Sequence, residues 1–324
     1  MNICILIPGY TDSTSLTKDV DIAYDAAPYL PGHNCTTVVI EKDAVDAQVA
    51  ALVHLGFDLF LNLCDCTIYE DCAGLDVLLA LERLGVAYTG ANAAFFAHTR
   101  HDLKAACLAS GIGTPAYAFL ERLDQVEAIA HTLRFPLFVK HPDSYCSVGL
   151  TRHSRVENAA ELARETARML DAFGGVLVEE FIEGRELTAL VIEDPAAPGQ
   201  PLVFQPLEFL FPPGESFKHF DLKWVDYRGI TSVPCQDAAL SARLQEATRR
   251  LFAALNGSGY ARFDFRVDRA GEIYALDSNA NCGVFYPAET PGSADLILLN
   301  EAAGLQRFVD LLLAGALQRR ALKP

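Results

Sequence analysis

The chain has 324 residues, 51% of them hydrophobic and 21% charged. At roughly 150 residues per domain this is a folded protein of about two or three domains rather than a disordered chain, and its core needs no disulfide or metal to hold it. With 26 Lys and Arg against 42 Asp and Glu the formal net charge is −16, which argues against a nucleic-acid backbone or an anionic membrane as the main partner but allows a small anion in a local cationic pocket.

The chain opens on Met1-Asn2-Ile3-Cys4-Ile5-Leu6-Ile7, apolar at once and without a basic segment, so it reads as a first strand and not as a signal peptide. No apolar run approaches the ~18 residues of a transmembrane helix. The nine cysteines are an odd number scattered along the chain, a pattern that predicts reduced thiols and a cytoplasmic protein. Cys64, Cys66 and Cys72 form the one cluster, but paired C-x-x-C spacing and neighbouring histidines are missing, which favours thiols over zinc. Strand patterns at 3–7, 36–40 and 59–63 alternate with amphipathic helical patterns at 44–55 and 75–84. Such alternation predicts a parallel sheet flanked by helices, with ligands at the carboxyl ends of its strands. Pro8-Gly9-Tyr10 and the polar stretch holding Asn62, Asp65, Glu70 and Asp71 lie there.

Further on, a helix is expected over 100–109, stopped by Ser110-Gly111, and a strand over 136–140 that ends in Lys140. The strand's apolar residues mark it as buried, so the Lys140 ammonium should point into something negative. The polar loop 141–147 leads to Val148-Gly149-Leu150, and a helix over 157–173 ends at Gly174-Gly175, as glycine past a helix C-terminus predicts. A strand over 176–182 carries carboxylates at its far end; 195–201 reads as a surface loop and 241–255 as a helix.

The densest chemistry lies at 260–279. Residues 260–267 and 272–279 each alternate by two around the turn Asp268-Arg269-Ala270-Gly271, which predicts a β-hairpin. In the simplest register Val267 pairs with Glu272 and Arg262 lies opposite Asp277, so that Asp264, Asp277 and Asn279 crowd one face beside Arg262. Carboxylates packed together raise each other's pKa and call for a cation. An oxygen-only donor set of this kind suits Mg²⁺, which completes its octahedron with water and phosphate oxygens. A solvated face of ion pairs would explain two carboxylates alone; three oxygen donors, an arginine and the Asn281-Cys282-Gly283 loop favour the metal.

Neither a P-loop nor a G-x-G-x-x-G fingerprint is present to bind the phosphate such a metal implies. Lys140 with the loop after it, Lys104 and Lys223 are the cations available. In this order, Leu84-Gly85-Val86-Ala87-Tyr88-Thr89-Gly90, the segment 135–140 with Ser147-Val148-Gly149, the segment 178–188, Arg262-Phe263-Asp264 and Asp277-Ser278-Asn279 together resemble the ATP-grasp superfamily, and within it the D-alanine–D-alanine ligases, over nearly the whole chain.

The resemblance implies an α/β protein, α+β in its ATP-grasp part, of three domains: an N-terminal parallel-sheet domain over 1–95, a central ATP-grasp subdomain over 96–183 and a C-terminal one over 184–324 that holds the metal site. It implies ATP between closing domains and two Mg²⁺ ions on Asp264, Asp277 and Asn279, with Asp277 standing where the family usually has Glu. Lys140 and Arg100, the latter in place of a lysine, would contact phosphates; Glu179, Glu180 and Ile182 the adenine end; Glu186 the ribose; and Lys223 the γ-phosphate. Arg262 would stabilise the oxyanion formed as an amine attacks an acyl phosphate, and the loop 141–149, with Ser147, would exclude water from that intermediate.

The substrate half departs from the family. The glycine-rich loop offers only Asp12 where the family has Glu, Cys146 stands for a serine, Trp224 for a tyrosine, and 280–287 replaces the usual tail. Cys146, Trp224, Asn281 and Gly283 are therefore candidate substrate residues, and the aromatics Phe285 and Tyr286 point to a different acid or amine unless they are simply core. Covalent catalysis by Cys146 is disfavoured because no histidine base is placed by the pattern, although His141 and His153 flank the loop. The expected activity is an ADP-forming carboxylate–amine ligase acting on an amino acid or related small molecule other than the D-alanine pair. A ring-closing ligase, a kinase-like phosphotransferase and a non-catalytic nucleotide-binding module are the alternatives. Homodimers are common in the family.

Overall fold

The computed structural model describes residues 1–11, 18, 24–66, 71–143, 147–225 and 229–321. The apolar N-terminus forms β1 (Asn2–Pro8), paired in parallel with β2 (Asn34–Ile40) and β3 (Leu59–Asn62). Ile3, Cys4, Ile5 and Leu6 are all buried because both faces of the sheet are covered. Side chains alternate along the strand, so Cys4 and Leu6 meet the helices α1 (Val45–Val53) and α2 (Leu75–Leu84), while Ile3 and Ile5 enter a second core on the other side. The short α3 (Ala93–Phe96) follows, then α4 (Arg100–Ser110), whose start is set by the Thr99/Asp102 capping box and whose end is set by Gly111.

Four strands make a second, antiparallel sheet in the order β4-β7-β5-β6: β4 (Tyr117–Leu120), β5 (Leu137–Lys140), β6 (Arg155–Val156) and β7 (Val176–Glu180). Helices α5 (Val126–Thr132) and α6 (Ala159–Phe173) pack on one face through Val126, Leu162 and Met169 against Leu137, Val139 and Val178. The alternation that sends Leu137 and Val139 to those helices sends Phe138 and Lys140 to the opposite face, and Glu179 joins them from β7.

The third sheet runs β11-β10-β8-β12-β13, with β9 on β8: β8 (Arg185–Ile192), β9 (Leu202–Val203), β10 (Leu207–Leu210), β11 (Thr231–Pro234), β12 (Tyr260–Val267) and β13 (Ile273–Ala280). One face buries Leu187, Ala189, Phe263 and Phe265 against α7 (Ala238–Ala254) and against Leu103 and Cys107 of α4. Helices α8 (Ser293–Leu299) and α9 (Gly304–Ala321) close the chain, and Phe308, Val309 and Leu312 of α9 pack in the same core as Ile3 and Ile5.

Two expectations need correction. The hairpin does not close in the simplest register: Val267 pairs with Ile273, and an irregularity between Asp264 and Phe265 shifts the pairing again, so Asp264 lies opposite Asp277 and Arg262 opposite Asn279. An extra residue on one strand displaces everything beyond it, which composition does not reveal. Nor are all cysteines thiols: Cys66 and Cys72 form a disulfide with a Cα–Cα distance of 5.8 Å, while Cys4, Cys35, Cys64, Cys107, Cys235 and Cys282 are free.

Candidate active site

The inner faces of the second and third sheets enclose a cavity of about 560 Å³, whose wall also includes Tyr24 and Asp65 from the N-terminal part of the chain and residues of the loop 281–292. That volume lies within the roughly 300–1,000 Å³ of small-molecule sites. Along β12 and β13 the strand alternation presents Arg262, Asp264, Asp277 and Asn279 to it. Each carboxylate already has its cation. Arg262 Nη1 donates to Asp264 and, at 3.1 Å, to Thr188 Oγ1; Asn279 Nδ2 donates to Asp264 Oδ2 at 3.1 Å. Asp277 Oδ1 accepts from Arg100 Nε at 2.6 Å and lies 3.5 Å from Lys140 Nζ. Burial alone would push the Asp277 carboxyl up, but the Arg100 guanidinium and Lys140 ammonium outweigh it and hold it well below the usual carboxylate range.

Two carboxylates and an amide on one hairpin face fit Mg²⁺, a hard cation that takes one or two carboxylates and fills its shell with water and phosphate oxygens. Asn279 spends its Nδ2 on Asp264, which leaves Oδ1 as its donor to a cation.

Behind this face sits a buried charge cluster. Glu179, 2% exposed, places Oε1 on Lys104 Nζ and Oε2 2.9 Å from Lys140 Nζ. Burial would raise its pKa, yet the two lysines bring it below the ordinary value. Lys104 also donates to Thr114 Oγ1 at 2.7 Å and is 2% exposed. The chain pattern marked Lys104 as one of several cations; the fold makes it the fixed partner of Glu179. Both Glu179 oxygens are thus engaged, and the Glu180 carboxylate turns outward to Arg134 at 2.8 Å. Glu179→Ala is expected to destabilise the fold by about 3–5 kcal/mol, because it strands buried ammonium groups. Pairing it with Lys104→Met should recover much of that loss, as judged by thermal unfolding of the two variants.

At one end of the cavity the rings of Phe138, Phe181 and Phe217 cluster, with Phe138–Phe217 centroids 4.9 Å apart. Arg266, 3% exposed, donates to the Ile182 carbonyl at 3.0 Å and to Glu186 Oε2 at 2.8 Å, and its guanidinium lies 4.4 Å from the Phe181 ring centroid. Arg266 shares the alternating face of Arg262 and Asp264, so the strand pattern contained its signal. Lys218, 4.0 Å from Glu186, had none, lying in an irregular stretch after Pro212-Pro213-Gly214. Burial lowers the Lys218 ammonium to about 7, with Glu186 opposing. The unfolded chain therefore binds the extra proton between pH 7 and the model-peptide value of 10.5. The stability contributed by Lys218 rises with pH across that window, at up to about 1.4 kcal/mol per unit. Lys218→Met should remove this slope from denaturation curves taken across the window.

The same cavity carries the residues expected to touch substrate. Trp224 is half-buried in the cavity wall, with Lys223 Nζ 4.3 Å from its ring centroid, and Ser147 Oγ donates to the Lys218 carbonyl at 3.1 Å. Asn281 and Gly283 also line the wall. The loop they begin is held by Asp295, whose carboxylate accepts the N–H of Phe285 at 2.8 Å and of Gly292 at 3.0 Å. Phe285, 1% exposed, belongs to the core rather than the site, whereas Tyr286 lines the cavity. Asp12, Glu70 and Cys146 lie outside the described residues. His141 accepts the Asp143 N–H on Nδ1 at 2.9 Å, and burial beside Arg100 brings it down to about 4, so it is neutral near pH 7.

A family model described as the D-ala D-ala ligase C-terminus matches residues 108–294. The chain is 30% identical over 259 residues to D-alanine–D-alanine ligase B of Chromobacterium violaceum, covering 78% of this chain and 79% of that protein. Among solved structures, D-alanyl-alanine synthetase A from Vibrio cholerae aligns with a TM-score of 0.71 at 18% identity over 98% of both chains. The ATP complex of D-alanine–D-alanine ligase from Bacillus anthracis aligns with a TM-score of 0.68 at 19% identity over 99% of both. Arg262, Asp264, Asp277 and Asn279 all fall within the matched segment, and the chain belongs to the D-alanine–D-alanine ligase family, as an ATP-grasp enzyme that forms C–N bonds with ATP and Mg²⁺ as its cofactors.

Proposed function

We propose that this chain joins a carboxylic acid to an amine through an acyl phosphate, with ADP as product, on a small-molecule pair other than two D-alanines. One observation carries the reading: a single cavity is lined both by the nucleotide-side set of Lys140, Arg262, Asp264, Asp277 and Asn279 and by Trp224, Asn281 and Tyr286. We place the protein in the cytoplasm, where ATP is abundant.

In this reading the acid's carboxylate takes the terminal phosphoryl group, and the amine then displaces phosphate. Lys140, Arg100 and Lys223 hold and orient the phosphates, each exchanging a present partner for a phosphate oxygen. The Phe138, Phe181 and Phe217 rings receive the adenine, and Glu186, steadied by Arg266, receives the ribose. Asp264, Asp277 and Asn279 hold Mg²⁺, which supplies charge neutralisation on the phosphate oxygens. Arg262, fixed by Asp264 and Thr188, faces the centre where negative charge builds as the amine attacks. Ser147 and the residues beside it close over the phosphates and keep water from the acyl phosphate.

The test is ADP release from Mg·ATP with D- and L-amino acids and diamines, singly and in pairs, with products identified by mass spectrometry. Amine-dependent ADP release with a new amide supports the reading. ADP release with a phosphorylated acid accumulating and no amine requirement identifies a kinase instead.

A further inference from the structure

Five side chains of alternating charge form a row of ion pairs at the cavity wall: Lys104, Glu179, Lys140, Asp277 and Arg100. The last four line the cavity. Lys104, one helical turn after Arg100 on α4, stands behind them with its side chain fully buried. Its place is fixed by the hairpin that carries the donor face. Lys104 donates to Thr114 Oγ1 at 2.7 Å, and Thr114 in turn donates to the Ala275 carbonyl at 3.3 Å. The Gly113 carbonyl accepts the Ala275 N–H at 2.8 Å, and a side chain at Gly113 would collide with the Ile273 carbonyl, so glycine there lets this segment lie against β13.

A buried ammonium group that reaches no ligand still acts on the site through its charge. Within the row three cations meet two carboxylates, which leaves one positive charge in surplus. Without Lys104 the two remaining cations, Lys140 and Arg100, would be matched one for one by Glu179 and Asp277. Charge-assisted bonds are strong in a low-dielectric interior, so Glu179 would then hold Lys140 undivided. Lys140 already lies nearer to Glu179, at 2.9 Å, than to Asp277, at 3.5 Å. Lys104 takes the other oxygen of the same carboxylate and so shares its charge.

We propose that Lys104 is a positioning residue for the nucleotide's phosphates: it holds Glu179 from behind, so that Lys140 can exchange that carboxylate for a phosphate oxygen. Lys104 touches no phosphate itself. It acts through Glu179, and its effect should vanish when Glu179 carries no charge. This inference rests on the reading above that places the phosphates at Lys140.

The test is calorimetry of Mg·ATP with the wild-type protein, Lys104→Gln, Glu179→Gln and the double variant. Glutamine at 104 keeps a donor for Glu179 and Thr114 and removes the charge. Lys104→Gln should weaken Mg·ATP binding by about tenfold, or about 1.4 kcal/mol. KM for ATP should rise by a like factor while kcat and the KM values of acid and amine stay near wild type, a split that general loosening of the fold would not produce. In the double variant Lys140 and Arg100 again outnumber the one carboxylate, Asp277, and affinity should return to within about threefold of wild type. Wild-type affinity in Lys104→Gln, or a loss that the double variant does not recover, overturns the inference and leaves the ligase standing. Should Lys104→Gln fail to fold, Glu179→Gln and the double variant decide: both should bind Mg·ATP within about threefold of wild type, and a larger loss in either overturns the inference. Mg·ATP binding by the wild type without ADP release for any substrate pair overturns the ligase reading alone, and no Mg·ATP binding at all overturns both.

Discussion

Asp277→Ala is expected to lower Mg²⁺-dependent turnover by about 10³-fold or more, since a metal on the phosphates supplies several kcal/mol of charge stabilisation and every 1.4 kcal/mol is tenfold in rate. The Asp277 carboxylate meets both Arg100 and Lys140, so in the role proposed above its removal would take a metal ligand and the anchor of two phosphate-side cations together. The fold should survive. Lys140 keeps Glu179 at 2.9 Å, and Arg100 keeps its bond to the His141 carbonyl at 2.8 Å. Asp277→Glu preserves the carboxylate and should restore most of the rate. The readout is ADP release titrated with Mg²⁺. Wild-type rates in the alanine variant would remove Asp277 from the metal site.

Arg262→Ala should slow amide formation by roughly 10²–10³-fold, the usual loss when a preorganised donor to a developing oxyanion is removed. Its guanidinium is pinned by Asp264 and Thr188, so in the role proposed above it would act with little reorganisation. Mg·ATP binding should stay within a few-fold, a small change beside the rate loss. Arg262→Lys should not rescue, because an ammonium group cannot reproduce the planar fork. Single-turnover rates at saturating nucleotide measure the effect. A rate equal to wild type would leave Arg262 as the counterion of Asp264 alone.

Both predictions depend on contacts of different legibility. The hairpin could be read from two runs that alternate by two around Asp268-Arg269-Ala270-Gly271, and the shared face of Arg262, Asp264 and Arg266 follows from that period. The pairing across it could not, because the register shifts between Asp264 and Phe265, where β13 carries the extra residue Leu276. Likewise Glu179 and Glu180 must point to opposite faces of a strand, but only the packing of α6 against Val176 and Val178 decides that Glu179 is the one turned inward.

By itself the sequence determined the local elements and the inventory of chemistry: strand and helix periods, helix ends at Gly111 and Gly174, and an oxygen-donor face with an arginine beside it. These follow from side-chain direction and glycine's access to positive φ, both of which act within a few residues. Tertiary structure alone decided which cation meets which carboxylate. Arg100 reaches Asp277 across 177 positions, Lys104 reaches Glu179 across 75, and Asn281 meets Ala91 across 190. It also paired Cys66 with Cys72 and laid α9 over the N-terminal sheet. Such contacts depend on how separate elements stack to bury apolar faces, and no local period carries that information.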